Sequence, residues 1–185
     1  MKRSIYPIGL LMVIMAFMLY SCDEKNEEVD PLVSKYVFTS ATFNEAVTIT
    51  VQQVEMEFPA GSDASLFVGP GILGAAPCDD LQNAAIELKE NGTTFYTCLG
   101  ETNELQMGTW QINSARTILT LNISTPQTFS LNITGLDIKT NSFSGTVENF
   151  PLPINAGVEL GGSLPGGFVN YQTGSVEVTF TKVPL

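Results

Sequence analysis

Leu119-Thr120-Leu121-Asn122-Ile123-Ser124-Thr125-Pro126-Gln127-Thr128-Phe129-Ser130-Leu131-Asn132-Ile133-Thr134 is the stretch that decides the fold. Leu119, Leu121 and Ile123 alternate with Thr120 and Asn122; beyond a break at Pro126, Phe129, Leu131 and Ile133 alternate with Ser130, Asn132 and Thr134. Successive side chains of an extended chain point to opposite faces, so this period of two sends the apolar groups one way and the hydroxyls and amides the other. Two half-buried strands are expected.

The same pattern recurs on both sides. Phe143, Gly145 and Val147 alternate with Ser144 and Thr146, and Val176, Val178 and Phe180 with Glu177, Thr179 and Thr181. Upstream, Ile86 and Leu88 oppose Glu87 and Lys89, and Asn91-Gly92, a strong hairpin signal, precedes Thr93-Thr94-Phe95-Tyr96-Thr97-Cys98. Tyr36 to Phe43 and Val47 to Phe58 are rich in the β-branched and aromatic residues that suit strands. A short helix over Asn83 to Lys89 is the alternative for that segment. Ser65-Leu66-Phe67-Val68 reads as a strand, whereas Gly69 to Pro77 and Pro151 to Gly167 read as long loops. Closely spaced strands without amphipathic helices between them predict an all-β fold: a single antiparallel barrel or sandwich over residues 34–185.

Ahead of that domain the composition changes. Lys2 and Arg3 precede an uncharged apolar run from Ile5 to Tyr20, the basic and hydrophobic regions of a secretory signal over residues 1–21. The run is shorter than the roughly 20 residues of a bilayer-spanning helix. Leu19-Tyr20-Ser21-Cys22 resembles the lipobox of bacterial lipoproteins, which implies diacylation of Cys22, cleavage before it, and attachment to the membrane through N-terminal lipid. Acidic Asp23-Glu24-Lys25-Asn26-Glu27-Glu28 and Asp30-Pro31 make residues 22–33 read as a flexible tether. That stretch also resembles the acidic export segment of Bacteroidetes-type lipoproteins, which implies the outer face of the outer membrane, with a periplasm-facing anchor as the alternative.

Charge and residue inventory narrow the chemistry. Without Lys2 and Arg3, six of the eight basic side chains remain against nineteen acidic ones, a formal charge of −13. Such a surface repels phosphate backbones, so nucleic acid is not an expected partner. The chain has no histidine, which removes Ser-His-Asp and Cys-His arrangements and the usual zinc ligand. With Cys22 lipidated, Cys78 and Cys98 remain for a disulfide in an oxidising compartment; a catalytic thiol is the rival, with no basic neighbour to lower its pKa.

Cys78-Asp79-Asp80-Leu81-Gln82-Asn83, Ile86-Glu87-Leu88, Asn91-Gly92-Thr93, Cys98, Gly108-Thr109-Trp110 and Leu119-Thr120-Leu121, together with Tyr36 to Ala41 and Val176 to Thr181, resemble the lipocalin-like domain of Bacteroidetes lipoproteins. The resemblance covers nearly the whole domain. It implies a lipocalin-like barrel or sandwich and, by analogy, a carrier of small apolar ligands.

Several residues are candidates for chemistry. Trp110, Phe95, Tyr96, Phe129 and Phe143 would line a ligand cavity in a hollow barrel, or fill the core of a packed one. Tyr171 and Phe168 would form a recognition patch in the late glycine-rich stretch. Gly69-Pro70-Gly71-Ile72-Leu73-Gly74 matches the dinucleotide fingerprint in letters, but the mechanism requires a helix to begin there, and no cofactor is expected. Asp79 and Asp80 lack calcium-loop spacing, so no metal is expected. Glu55 with Glu57, or Glu101 with Glu104, would have to supply the carboxylate pair of a glycoside hydrolase. Three functional readings follow: a non-enzymatic binding protein for a small apolar ligand or glycan, a structural or interaction subunit of an envelope assembly with a packed core, and a carboxylate-dependent hydrolase. The first and then the second are preferred, with no catalytic residues.

Overall fold

The computed structural model describes residues 29–51, 54–124, 128–153, 155–156 and 171–184. The expected signal segment, Cys22 and Phe168 lie outside them.

In chain order the elements are β1 (Ser34–Phe43), β2 (Val47–Val51), β3 (Val54–Phe58), α1 (Ser65–Leu73), a 3-10 turn (Leu81–Asn83), β4 (Ala84–Leu88), β5 (Thr93–Cys98), β6 (Glu104–Ile112), β7 (Ile118–Ile123), β8 (Phe129–Ile138), β9 (Ser142–Pro153), β10 (Asn155–Ala156) and β11 (Tyr171–Lys182). Eight strands close into an antiparallel barrel in the order β1-β4-β5-β6-β7-β8-β9-β11, with β11 returning to β1. Each barrel strand pairs with the next barrel strand in sequence, so the topology is an up-and-down meander that leaves the barrel no free edge. Of the two expected architectures, the barrel is the one formed.

The alternation explains which face each strand buries. Leu119, Leu121 and Ile123 pair across the β7–β8 ladder with Ile133, Leu131 and Phe129, and the partners of Thr120 and Asn122 on the outer face are Asn132 and Ser130. Outside, the Thr120 hydroxyl donates to Asn132 Oδ1 at 2.9 Å and Ser130 to Asn122 Oδ1 at 2.8 Å, so the polar rows satisfy one another. The β4–β5 turn follows Asn91-Gly92, with only Gly92 at positive φ (78°). The Asn91 carboxamide instead accepts from the Thr93 amide at 3.1 Å and hydroxyl at 2.6 Å.

Val47 to Phe58, read as strand-forming, is a hairpin of β2 with β3, in a separate three-stranded sheet with β10 parallel to β2. Two expectations are corrected. Pro151–Pro153 continues β9, and Asn155–Ala156 forms β10, so the described start of the late loop is strand. The expected strand and loop over Ser65 to Leu73 is a helix containing Pro70. Phe67, Val68, Gly69, Ile72 and Leu73 are buried at one end of the barrel while Leu66 is left exposed, and the burial of that side, not propensity, sustains the helix. Gly69 and Gly71 serve close packing there: a Cβ at either would lie 3.1 Å from the Phe38 ring or 2.9 Å from that of Phe150.

The two ends are closed differently. At the end where β1 begins, Leu32 is fully buried, and Asp30 accepts from both terminal nitrogens of Arg116 at 2.7 and 2.9 Å. Asp30–Val33, read from sequence as the last part of the tether, is thus packed onto the barrel. At the other end α1 lies against the end of β1, where the Ala64 amide donates to the Ala41 carbonyl at 2.9 Å. Phe43, Phe58 and Phe67 cluster there with centroids 5.3 to 6.1 Å apart. The segment after α1 is tied to the end of β5 by the Cys78–Cys98 disulfide, with Cα atoms 5.5 Å apart.

Candidate functional site

The inward positions of the strands, where a hollow barrel would hold a ligand, carry side chains in contact with one another. Tyr36 meets Phe143 edge-on at 4.9 Å, Phe143 stacks on Phe180 at 4.9 Å, and Phe38 meets Phe180 at 5.8 Å. The Tyr96 hydroxyl donates to the Ile72 carbonyl of α1 at 2.8 Å, and burial pushes its pKa up to about 12. Trp110 is buried with its indole N–H donating to the Lys89 carbonyl at 2.8 Å, at the β4–β5 turn. A ligand-sized void would leave its lining side chains with accessible surface. Met107, Leu119, Leu121, Ile133, Val178 and Phe180 are instead 0 to 2% exposed, so the space between them is filled.

The five aromatics proposed as ligand-binding therefore do not share one environment. Tyr96, Trp110 and Phe143 are in the core, and Phe129 is half-buried against it. Phe95 is only half-buried, and the Lys89 ammonium stands 3.9 Å from its ring centroid. Sequence reasoning did not single out Thr94 or Thr97, two buried hydroxyls with no hydrogen-bond partner among the described residues. Residue type gives no sign of them, because threonine suits a strand on either face and is mostly exposed.

Outside the barrel, a concavity of about 580 Å³ is lined by Gln111, Ile112, Asn113, Ile118, Thr120, Asn132 and Thr134 of β6, β7 and β8 and the turn between the first two. It is uncharged and open. Asn113 is committed to the turn, its carboxamide oxygen accepting from the amides of Thr117 and Ile118 at 2.8 and 3.0 Å.

The remaining candidates are dispersed. Gly69 and Gly71 fall within α1, which begins at Ser65, so their amides are interior to a helix and do not form an N-terminal phosphate cradle. Asp80 caps the 3-10 turn by accepting from the Gln82 amide at 2.9 Å, and its neighbour Asp79 is exposed. Glu55 and Glu57 are exposed on one face of β3. Glu104 pairs with Lys89 at 3.2 Å, whereas Glu101 accepts from the Asn103 amide group at 2.8 Å. Tyr171 is exposed at the start of β11. Among the described residues no group of three His, Cys, Asp or Glu side chains is placed to hold a metal ion, and no helix is long and apolar enough to cross a membrane. Comparison of the chain with protein-family models, curated proteins and solved structures gave no match.

Proposed function

We propose that this protein is a lipid-anchored lipoprotein of the bacterial envelope whose lipocalin-like barrel acts as a non-enzymatic interaction subunit, engaging its partner through its surface and carrying nothing inside. The filled interior is the observation that carries this reading: the side chains at the centre of the barrel are 0 to 2% exposed, and the aromatics at its wall are engaged with one another. The lipobox-like Leu19-Tyr20-Ser21-Cys22 and the acidic residues after it support the anchor and an outer-membrane address.

The direct test is titration of the detergent-solubilised protein with N-phenyl-1-naphthylamine and with palmitic acid, read by fluorescence and by native mass spectrometry. No saturable binding is expected; a one-to-one complex with either probe overturns the packed-core reading in favour of a carrier. The anchor is tested separately. Cys22→Ala is expected to move the protein from the membrane to the soluble fraction, and unchanged fractionation removes the lipid.

A further inference from the structure

We infer that the outer edge of β3 is a docking edge for one extended strand of a partner protein, a strand in which basic and apolar residues alternate. The inference deepens the interaction-subunit reading and rests on it for the partner's being another envelope protein.

The small sheet β10-β2-β3 emerges from the barrel between β1 and α1, and β3 is its last strand. Among the described residues no strand pairs with its outer edge. Val54, Met56 and Phe58 share one face of β3, opposite Val51, Ile49 and Val47 of β2. Ile49 and Val47 are buried and Phe58 packs on Phe43 and Phe67, so this face is a continuation of the barrel core. It runs out of cover at β3, where Val54 is 61% and Met56 44% exposed. A strand added at the edge would extend that apolar face, and its alternate side chains would stand beside Val54 and Met56.

The other face of β3 determines what the added strand carries. Glu55 and Glu57 are both exposed there, and neither is in an ion pair among the described residues. Lysine or arginine directly across from them is favourable, and acidic residues are not. The same carboxylates disfavour a second copy: two β3 strands pairing antiparallel about Met56 would set Glu55 against Glu57 twice on one face. The edge therefore discriminates against its own kind while accepting a basic-apolar strand.

The location fits an assembly. The chain enters the barrel through Asp30–Val33 at the start of β1, whereas β3 and α1 stand at the end of β1. Only residues 23–29 separate Asp30 from Cys22, a reach of roughly 25 Å at full extension. On the lipid-anchored reading, the entry end is held near the membrane and the β3 end is directed away from it.

The test uses the solubilised full chain and three immobilised peptides: alternating Lys-Val, the same composition with the lysines and valines in separate blocks, and alternating Glu-Val. The alternating Lys-Val peptide is expected to bind at least about tenfold more tightly than either of the others. Glu55→Lys with Glu57→Lys is expected to reverse the preference toward Glu-Val, and Glu55→Gln with Glu57→Gln to abolish it, both variants melting as the parent does. Equal binding of the block peptide reduces the effect to charge attraction and overturns the proposal, as does an unchanged preference in the lysine variant. A stable dimer in sedimentation that excludes the peptide assigns the edge to a second copy and overturns it as well. These readouts use the solubilised protein and no membrane, so the outcome of fractionation leaves them unaffected, and failure of either reading is seen on its own.

Discussion

Tyr96 sits where the barrel wall meets the helix that closes it, and its phenol donates a hydrogen bond from β5 to the Ile72 carbonyl of α1. Tyr96→Phe leaves that carbonyl buried without its donor and is expected to cost about 1–3 kcal/mol in urea unfolding at neutral pH. Burial raises the Tyr96 phenol from its ordinary 10.0 to about 12, and burial, with a smaller contribution from Asp30, does the same for Tyr36. The unfolded chain thus loses these protons first as pH rises. Stability should be full below pH 10 and decline between about 10 and 12, and Tyr96→Phe should shrink that decline while Tyr36 retains its share. The acid side has the opposite sign. The Arg116 hydrogen bonds hold the Asp30 carboxyl below its usual 3.8, so the stability they provide is present above that value and lost as pH falls beneath it. Asp30→Asn should flatten the acid limb of a melting-temperature profile. Gly108 is constrained by space: a Cβ would drive into the Asn122 carbonyl on the neighbouring strand. Gly108→Ala is expected to part β6 from β7 and cost roughly 3 kcal/mol in chemical denaturation, the upper range for overpacking.

Among the elements, legibility followed the solvent. Strands β7, β8, β9 and β11 have one face in the core and one in water, so Leu119-Thr120-Leu121 or Val176-Glu177-Val178 writes that difference into alternate letters. Helix α1 is surrounded by protein on most sides and has no polar stripe to mark its period, and Gly69-Pro70-Gly71 carries the letters of a turn. Tertiary burial overrode them. The 3-10 turn ahead of β4 is a smaller case, in which Asp80 caps one short turn and the strand then begins at Ala84. The Cys78–Cys98 disulfide fastens the exit of α1 to β5 and closes a loop with a sequence separation of 20. Cys78→Ser should lower stability by about 3 kcal/mol under oxidising conditions and leave it unchanged in reductant, as melting curves in the two buffers will register.

For the molecule as a whole, closure requires contacts that no local pattern announces. Tyr36 pairs with Lys182 across almost the full domain, and Leu32, just ahead of β1, fills the barrel end that this pairing creates. Leu32→Ala is expected to cost about 2–5 kcal/mol in thermal or urea unfolding, as for other large-to-small changes at buried sites; a neutral result would show that the residues before β1 do not belong to the fold. The candidate site divides along the same line. The aromatic character of Tyr96, Trp110 and Phe143 was visible in the letters, but whether such rings line a cavity or fill it depends on the radius at which eight strands close and on what enters from both ends. By itself the sequence determined seven of the eight barrel strands, all but β6, with the inner and outer faces of those that alternate, the absence of histidine and the cysteines available to pair, because these depend on residue type and on a two-residue period. Only the tertiary structure decided barrel over sandwich, helix over loop at Gly69 to Leu73, and a packed interior over a hollow one. Those outcomes follow from volume and pairing among residues distant in the chain, and neighbouring letters do not encode such distances.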